Sequence, residues 1–419
     1  MKTMVEVLLA AALLAPAVPA QEPPAPVGSE LINTLLSALG GFTDMTGPEL
    51  QTEVAAAGGI PFRSDVPVEY MTRAELGRYL KEVLDSEYPP ARAEADQRTL
   101  VAFGLLPAGA DLRGMRARIL EENIVGFYDE RPGKKRLYAV SEQRKLTPAN
   151  QLILSHELRH ALQDQYADLH AILPESIGDF DDRRLAFVSV LEGDATLVME
   201  RFLIRRLAGG DGESDIPPFS MPTPPMPDVP PVLRDQLLLP YFAGRDFAQS
   251  LQKKGGWGAL KEAWGRPPES TEQVLHPEKY EAREAPRPVD LAYAPRGGRA
   301  INDGVLGEVL IRTFLGEGAS EAAAAGWGGD RYRVWDVAGK TLLVWRSVWD
   351  SAEDAREFLA AAQARLGGTH AAQGSRRGFR VFGSPPWRFG LAERASGIDL
   401  VSSDDGVAFE AALEALGGS

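Results

Sequence analysis

Apolar residues follow two periods along this chain, and the change of period divides it. Over 182–207, Leu185, Val188, Ala195, Met199 and Phe202 recur at the helical spacing and form one stripe, which predicts a helix with that face on a core. Thr147-Pro148 offers an N-cap followed by a proline at the first helical position, predicting a helix to about Tyr166. Thr72-Arg73-Ala74-Glu75 has capping-box spacing and predicts a helix to about Leu84; the whole stretch from about Ser29 to Arg118 reads as mostly helical. Two β-rich runs, Ile124 to Asp129 and Arg136 to Val140, flank the turn Arg131-Pro132-Gly133-Lys134 and predict a hairpin. Helices resume from about Asp235 to Trp264, and Ser270 to His276 predicts a short capped helix that stops at Pro277.

From about Gly326 the pattern changes again. Strands are expected near Arg331–Val337, Thr341–Trp349, Arg377–Phe382 and Phe389–Glu393, with helices at Ala352–Arg365 and Val407–Leu416. That is a small two-layer α+β unit, and Trp327, Trp335, Trp345 and Trp349 are expected in its core. The predicted class is therefore α+β. Its parts are an N-terminal helical region over 21–120, a mainly helical domain over 121–310 with a small antiparallel edge sheet, and a C-terminal module over 326–419. Within the second, 217–231 holds eight prolines in fifteen residues and reads as a linker or stiff surface loop.

Composition narrows the function. The net charge of −14 lacks the basic footprint of a protein that grips nucleic acid. There is no cysteine, so any metal must be held by His, Asp or Glu, and only five histidines exist to do it. Lys2, the apolar run Val5 to Pro16 and Val18-Pro19-Ala20 ahead of Gln21 predict a cleaved secretory signal over residues 1–20, followed by a Pro-rich leader to Gly28. No other run is apolar for long enough to span a bilayer. An exported chain without cysteine suggests a secreted or periplasmic protein of a bacterial envelope.

The chemistry is concentrated in His156-Glu157-Leu158-Arg159-His160, an H-E-x-x-H on a predicted helix. Imidazoles at i and i+4 share one face and can grip one zinc ion. Glu157, one step round, would stand at the metal's open position and act as general base on a water. A catalytic zinc needs a third protein ligand. The pattern H-E-x-x-H-x-x-G-x-x-H is excluded, because Gln163 and Tyr166 stand where Gly and His would be. His170 could reach the ion only if the helix broke early. Glu192 falls inside the apolar stripe of the next helix, where a carboxylate is costly unless paired or metal-bound; the competing reading is a core salt bridge to Arg159. Asp194 and Glu200 lie off that face or too far along the helix. Gly193 is expected to let this helix pack close to the metal helix. Asp164 and Asp194 are candidates to orient the two imidazoles. Asp179-Phe180-Asp181-Asp182 and Asp211 to Asp215 read as solvated or N-capping acidic loops, without the spacing of a calcium loop.

H-E-x-x-H followed by Glu192-Gly193-Asp194-Ala195 resembles the E-G-x-A arrangement of the gluzincin metallopeptidases, the clan of thermolysin and aminopeptidase N. The strings His156 to Gln165, EGDA and Ser270 to Pro277 are similar to those of a group of bacterial exported proteins assigned to the zinc peptidases. The resemblance spans roughly Ile124 to Tyr280. It departs in the 31-residue gap between His160 and Glu192 and in the absence of the aminopeptidase signature G-x-M-E-N. The resemblance implies a zincin-like core and a zinc-dependent, exported peptidase acting on a peptide or protein. It implies that Arg136–Val140 is the edge strand beside the cleft, pairing with an extended peptide. It also implies a Tyr or His that donates to the oxyanion, for which His276 and Tyr280 are the leading candidates and Tyr241 a third. The alternatives are a non-catalytic envelope protein that keeps the scaffold for binding or assembly, and a zinc hydrolase of non-peptide substrates.

Overall fold

Thr72 opens a helix as its spacing predicts: its hydroxyl accepts from the Glu75 amide and the Glu75 carboxylate accepts from the Thr72 amide. Thr46 does the same with Glu49 one helix earlier. The computed structural model describes residues 45–417 apart from 143–145, 147, 173–176, 209–225, 227, 317–319 and 396. The expected signal peptide and leader, Thr147, Asp211 to Asp215 and most of the Pro-rich stretch 217–231 lie outside the described residues. No helix among the described residues is long and apolar enough to cross a membrane.

The first part of the chain runs α1 (Gly47–Gly58), β1 (Val68–Met71), α2 (Arg73–Glu87), α3 (Pro90–Ala102), α4 (Leu112–Asn123), β2 (Gly126–Asp129), β3 (Arg136–Val140), α5 (Pro148–Ala167), α6 (Asp182–Ala208), α7 (Pro231–Gly265), α8 (Thr271–Leu275) and α9 (Pro277–Ala282). The hairpin β2–β3 forms as expected, but β1 adds to it in parallel, giving the order β1-β3-β2. The small sheet is therefore mixed, and Arg136–Val140 is its centre and not its edge. Nothing in the sequence of Val68–Met71 distinguishes a strand that completes a sheet across an intervening 60-odd residues from a loop between helices. Helices α6 and α7 form the helical core, and α6 is buried on every side over most of its length, so its apolar stripe is only part of its packed surface.

The remainder runs β4 (Arg299–Gly304), α10 (Gly307–Leu315), α11 (Ser320–Ala324), β5 (Trp327–Val337), β6 (Lys340–Trp349), α12 (Ala352–Thr369), β7 (Ala371–Arg376), β8 (Phe379–Ser384), β9 (Trp387–Arg394), β10 (Gly397–Ser403) and α13 (Gly406–Gly417). It is organised on a seven-stranded antiparallel sheet of order β4-β5-β6-β10-β9-β8-β7. β4 pairs with β5, so the module begins about 25 residues earlier than the composition change at 326 suggests. The alternation of strand side chains then sorts two cores. Leu343, Trp345, Ile398 and Leu400 face α12 through Phe358. Leu342, Val344 and Val401 face α13 through Phe409 and Leu413. Helices cover both faces, which makes three layers where two were expected. All four tryptophans are buried in this module. Phe103, the C-cap of α3, packs edge-on against Tyr332 and Trp345 at 5.5 and 6.2 Å, tying the N-terminal helices to this sheet. The chain is thus an α+β protein.

Candidate metal centre

Helix α5 sits between the small sheet and α6. Leu154, Leu158 and Ala161 pack with Tyr128, Leu137 and Ala139, while Leu162 joins the core of α6 and α7. Gly126 makes the approach to the sheet possible: a Cβ there would lie 2.7 Å from Leu154 Cδ2. Gly193 works on a different neighbour from the one expected. A Cβ on it would meet the Gly244 carbonyl at 2.1 Å, so it lets α6 cross α7, not α5, at backbone contact. That crossing sets Tyr241, one turn before Gly244, against Glu192, the residue before Gly193.

The side chains converge where the two motifs meet. His156 Nε2 lies 2.9 Å from Glu192 Oε2, His160 Nε2 lies 3.3 Å from Glu192 Oε1, and the two Nε2 atoms are 3.1 Å apart. His156, His160 and Glu192 form the one group of three such side chains among the described residues able to hold a metal ion. All three are buried, as is Glu157. The donor set fits zinc: two imidazole nitrogens and one carboxylate, all turned to one point, with Glu192 Oε1 left without a hydrogen-bond partner. Glu157 belongs beside this point. Its Oε2 accepts the Tyr128 amide at 3.1 Å and its Oε1 is buried with no partner. In the pairing of β2 with β3 the Tyr128 amide faces away from β3, so β2, not β3, is the strand whose free side adjoins the cluster.

Burial dominates the electrostatics. It raises the Glu157 pKa to about 8, against the nearby His160 charge. It also opposes charge on His160, yet the Glu192 carboxylate, with help from Glu157 and Gln163, raises that imidazole to about 9. Burial would raise Glu192, but His160 and His156 together hold it down at about 2. His156 is lowered, chiefly by desolvation. The group is built to be an anion among shared cationic hydrogens, or among ligands of a cation.

Around the three ligand atoms lies a second set of contacts. His160 Nδ1 is 2.9 Å from Gln163 Oε1. Gln163 Nε2 donates to the Leu191 carbonyl at 3.0 Å and to Asp194 Oδ2 at 2.8 Å. Asp194 also accepts Arg159 Nε at 2.8 Å, Arg159 Nη2 at 3.0 Å and Trp264 Nε1 at 3.0 Å. The salt bridge open to Glu192 in the sequence is therefore made by Asp194 instead. Asp164 does not orient His160: it accepts Tyr128 Oη at 2.8 Å, Lys135 Nζ at 2.9 Å and the Leu169 amide at 3.0 Å. Gln163 was legible in principle, since i+3 shares the face of His160 as i+4 does.

His276 and Tyr280 are not brought to the cluster. His276 pairs with the buried Glu308 at 3.2 Å, and Tyr280 donates to the Arg266 carbonyl at 2.9 Å and packs on Phe247. The physical reason is packing: α8 lies against α6, α7 and α10, and α9 against α7, so His276 meets Glu308 and Tyr280 meets the C-cap of α7. Tyr241 lies against the cluster instead. Its ring stacks on His156 at 5.9 Å with 22° between planes, and its hydroxyl is buried with no hydrogen-bond partner. Burial and then the charges of Glu192 and Glu157 raise its pKa. His170 stays outside the cluster. The acidic loop at Asp179–Asp182 is buried and not solvated, while the expected N-capping is made by Asp181, which accepts the Arg183 amide at 3.1 Å at the start of α6; Asp179 pairs with Arg92, Asp181 also accepts the Val305 amide at 3.1 Å, and Asp182 receives the amide and hydroxyl of Thr271. The Ser270 to Pro277 string thus fastens the start of α6 to the C-terminal module.

Residues 295–412 match a family described as a domain of unknown function (DUF8575). No match was found among curated proteins or among solved structures. The family match covers the seven-stranded module and not the His/Glu cluster.

Proposed function

We propose that this chain is a zinc-dependent metallopeptidase of gluzincin type, exported to the bacterial envelope or beyond, that hydrolyses peptide bonds in a peptide or protein substrate. The observation that carries the reading is the convergence of His156 Nε2, His160 Nε2 and the Glu192 carboxylate within 3.3 Å of one another, with Glu157 alongside. His156, His160 and Glu192 would hold the ion. Zinc bound there supplies Lewis-acid activation of water and of the scissile carbonyl. Glu157 takes the water proton on its unpartnered Oε1 and passes it to the leaving amine. The Tyr128 amide fixes the other oxygen, so the carboxylate needs no reorientation between the two transfers. Tyr241 Oη, a buried donor beside Glu192, serves the developing oxyanion. The free side of β2 is the side on which an extended peptide would align.

Complete burial of the cluster favours a second reading, a non-catalytic envelope protein in which zinc is a structural staple. The free Oε1 of Glu157 and the Tyr241 hydroxyl beside Glu192 argue for the first, because a staple requires neither. Metal analysis of the purified protein together with a peptide-library digest, with and without chelator, tests them. Stoichiometric zinc with chelator-sensitive cleavage that Glu157→Gln abolishes supports the peptidase; zinc with no cleavage supports the staple; absence of bound metal overturns both.

A further inference from the structure

Arg159 and Asp194 occupy unspecified positions of H-E-x-x-H and E-G-x-A, yet they form a bidentate ion pair that joins the two motifs. Both are fully buried. Breaking such a pair leaves a charge stranded in the core, so the pair is fixed in place. Both oxygens of Asp194 accept, from Arg159 Nε and Nη2 and from Trp264 Nε1. The Leu191 carbonyl can only accept as well. Gln163 faces both with one end of its amide, at 2.8 and 3.0 Å, so that end is the NH2 group and both its hydrogens are used. The other end is then the carbonyl oxygen, and it faces His160 Nδ1 at 2.9 Å. A carbonyl accepts; Nδ1 must carry the proton.

We infer that Gln163, clamped by the Arg159–Asp194 pair, is the positioning residue of the cluster, holding His160 with a proton on Nδ1 and Nε2 turned as the ligand atom toward Glu192 and His156. The orientation of the amide follows from its acceptors, and the site of the proton follows from the amide. The inference rests on the metal-site reading for one consequence only, the tightness with which zinc is held. Trp264 Nε1 also donates to Asp194 Oδ2 at 3.0 Å, and a turned-over Gln163 amide would set its oxygen against that carboxylate and the Leu191 carbonyl.

The test uses full-length protein labelled with 15N in histidine, metal-free and zinc-loaded. His160 Nδ1 should carry a slowly exchanging proton in both states, and zinc should move only the Nε2 signal. Gln163→Met removes the acceptor at nearly constant volume; its zinc dissociation constant should rise about 10–100-fold and the Nδ1 proton should lose its protection. Gln163→Glu keeps an acceptor toward His160 and should lie closer to wild type in both readouts, even where its melting temperature falls. A purely structural Gln163 would lower the melting temperature without moving the Nδ1 signal. An unprotonated Nδ1 in the wild type, zinc bound through Nδ1, or wild-type zinc affinity in Gln163→Met overturns the inference. A wild type that keeps the Nδ1 proton and takes up no zinc overturns the peptidase reading and leaves the positioning of His160 standing.

Discussion

Replacing Gly193 with alanine tests the geometry that assembles the cluster. The added Cβ would lie 2.1 Å from both the carbon and the oxygen of the Gly244 carbonyl and 2.6 Å from the Arg245 nitrogen. Ordinary contact begins at 3.4 Å, so the methyl is about 1.3 Å too deep, and every atom it meets is backbone. No rotamer change relieves that; α6 and α7 must separate. Overpacking of this kind costs ~1–3 kcal/mol, and a backbone-on-backbone clash belongs at the upper end. At ~1 °C per kcal/mol for a chain of this length, the melting temperature should fall by about 3 °C. The same separation carries Tyr241 away from Glu192, and a displacement of ~1 Å at a reacting group can cost ~10²-fold in kcat. Gly77→Ala is the control. It lies inside α2 with nothing within 4 Å of the new Cβ, so it should raise stability by ~0.5–1 kcal/mol. Calorimetry on the two variants, with zinc content and kcat from the same preparations, decides the matter. A Gly193→Ala protein as stable and active as wild type would show that the helix crossing is not the constraint described above.

Other expectations follow from the same contacts. Glu192→Ala should lose most bound zinc while keeping its fold, because Arg159 retains Asp194 as its partner; equal zinc in variant and wild type would exclude Glu192 as a ligand. Tyr241→Phe removes one unpartnered hydroxyl and should lower kcat by ~10²–10³ with KM and melting temperature nearly unchanged; a normal kcat would remove Tyr241 from the chemistry. His276→Ala should instead change stability, and in a pH-dependent way. Glu308, by hydrogen bond and charge, raises the His276 pKa against burial and the Arg312 charge, with Glu278 adding to the rise. A raised pKa in the fold means that the imidazolium stabilises it fully below about pH 6.5, and that this contribution fades as pH rises through the folded value. The variant's deficit in melting temperature should therefore be largest in mild acid and vanish in alkali; a deficit that grows with pH would contradict the pairing.

Local features of this fold could be read from the chain because their causes are local. Capping at Thr72 and Ser270 involves groups within three residues, and the face of α5 that carries His156 and His160 is set by one turn of helix. Glu192 was also legible, since a carboxylate within an apolar stripe demands a partner whatever the fold. The sequence could not rank the partners. Arg159 was an equally good counter-ion for Glu192 until the crossing of α5 and α6 gave it to Asp194. Periodicity also could not place β1, whose partner β3 lies more than 60 residues on, or β7, which is exposed at every position and shows no alternation; β4 and β10 escaped it as well. That is why Arg136–Val140 became a central strand, and why the C-terminal module gained a strand before 326 and a third layer. The oxyanion candidates divided on the same line. His276 and Tyr280 were favoured by a local feature, the helix stop at Pro277, while Tyr241 is placed by Gly193 and Gly244, about 50 residues apart, meeting at backbone contact. The sequence by itself determined the histidine and glutamate positions of the cluster, their helical register and the helix starts, through interactions spanning one or two turns. Tertiary structure alone decided which buried charges pair and which tyrosine faces the cluster, because those depend on where two helices cross, and the crossing is set by the sum of all the packing around it.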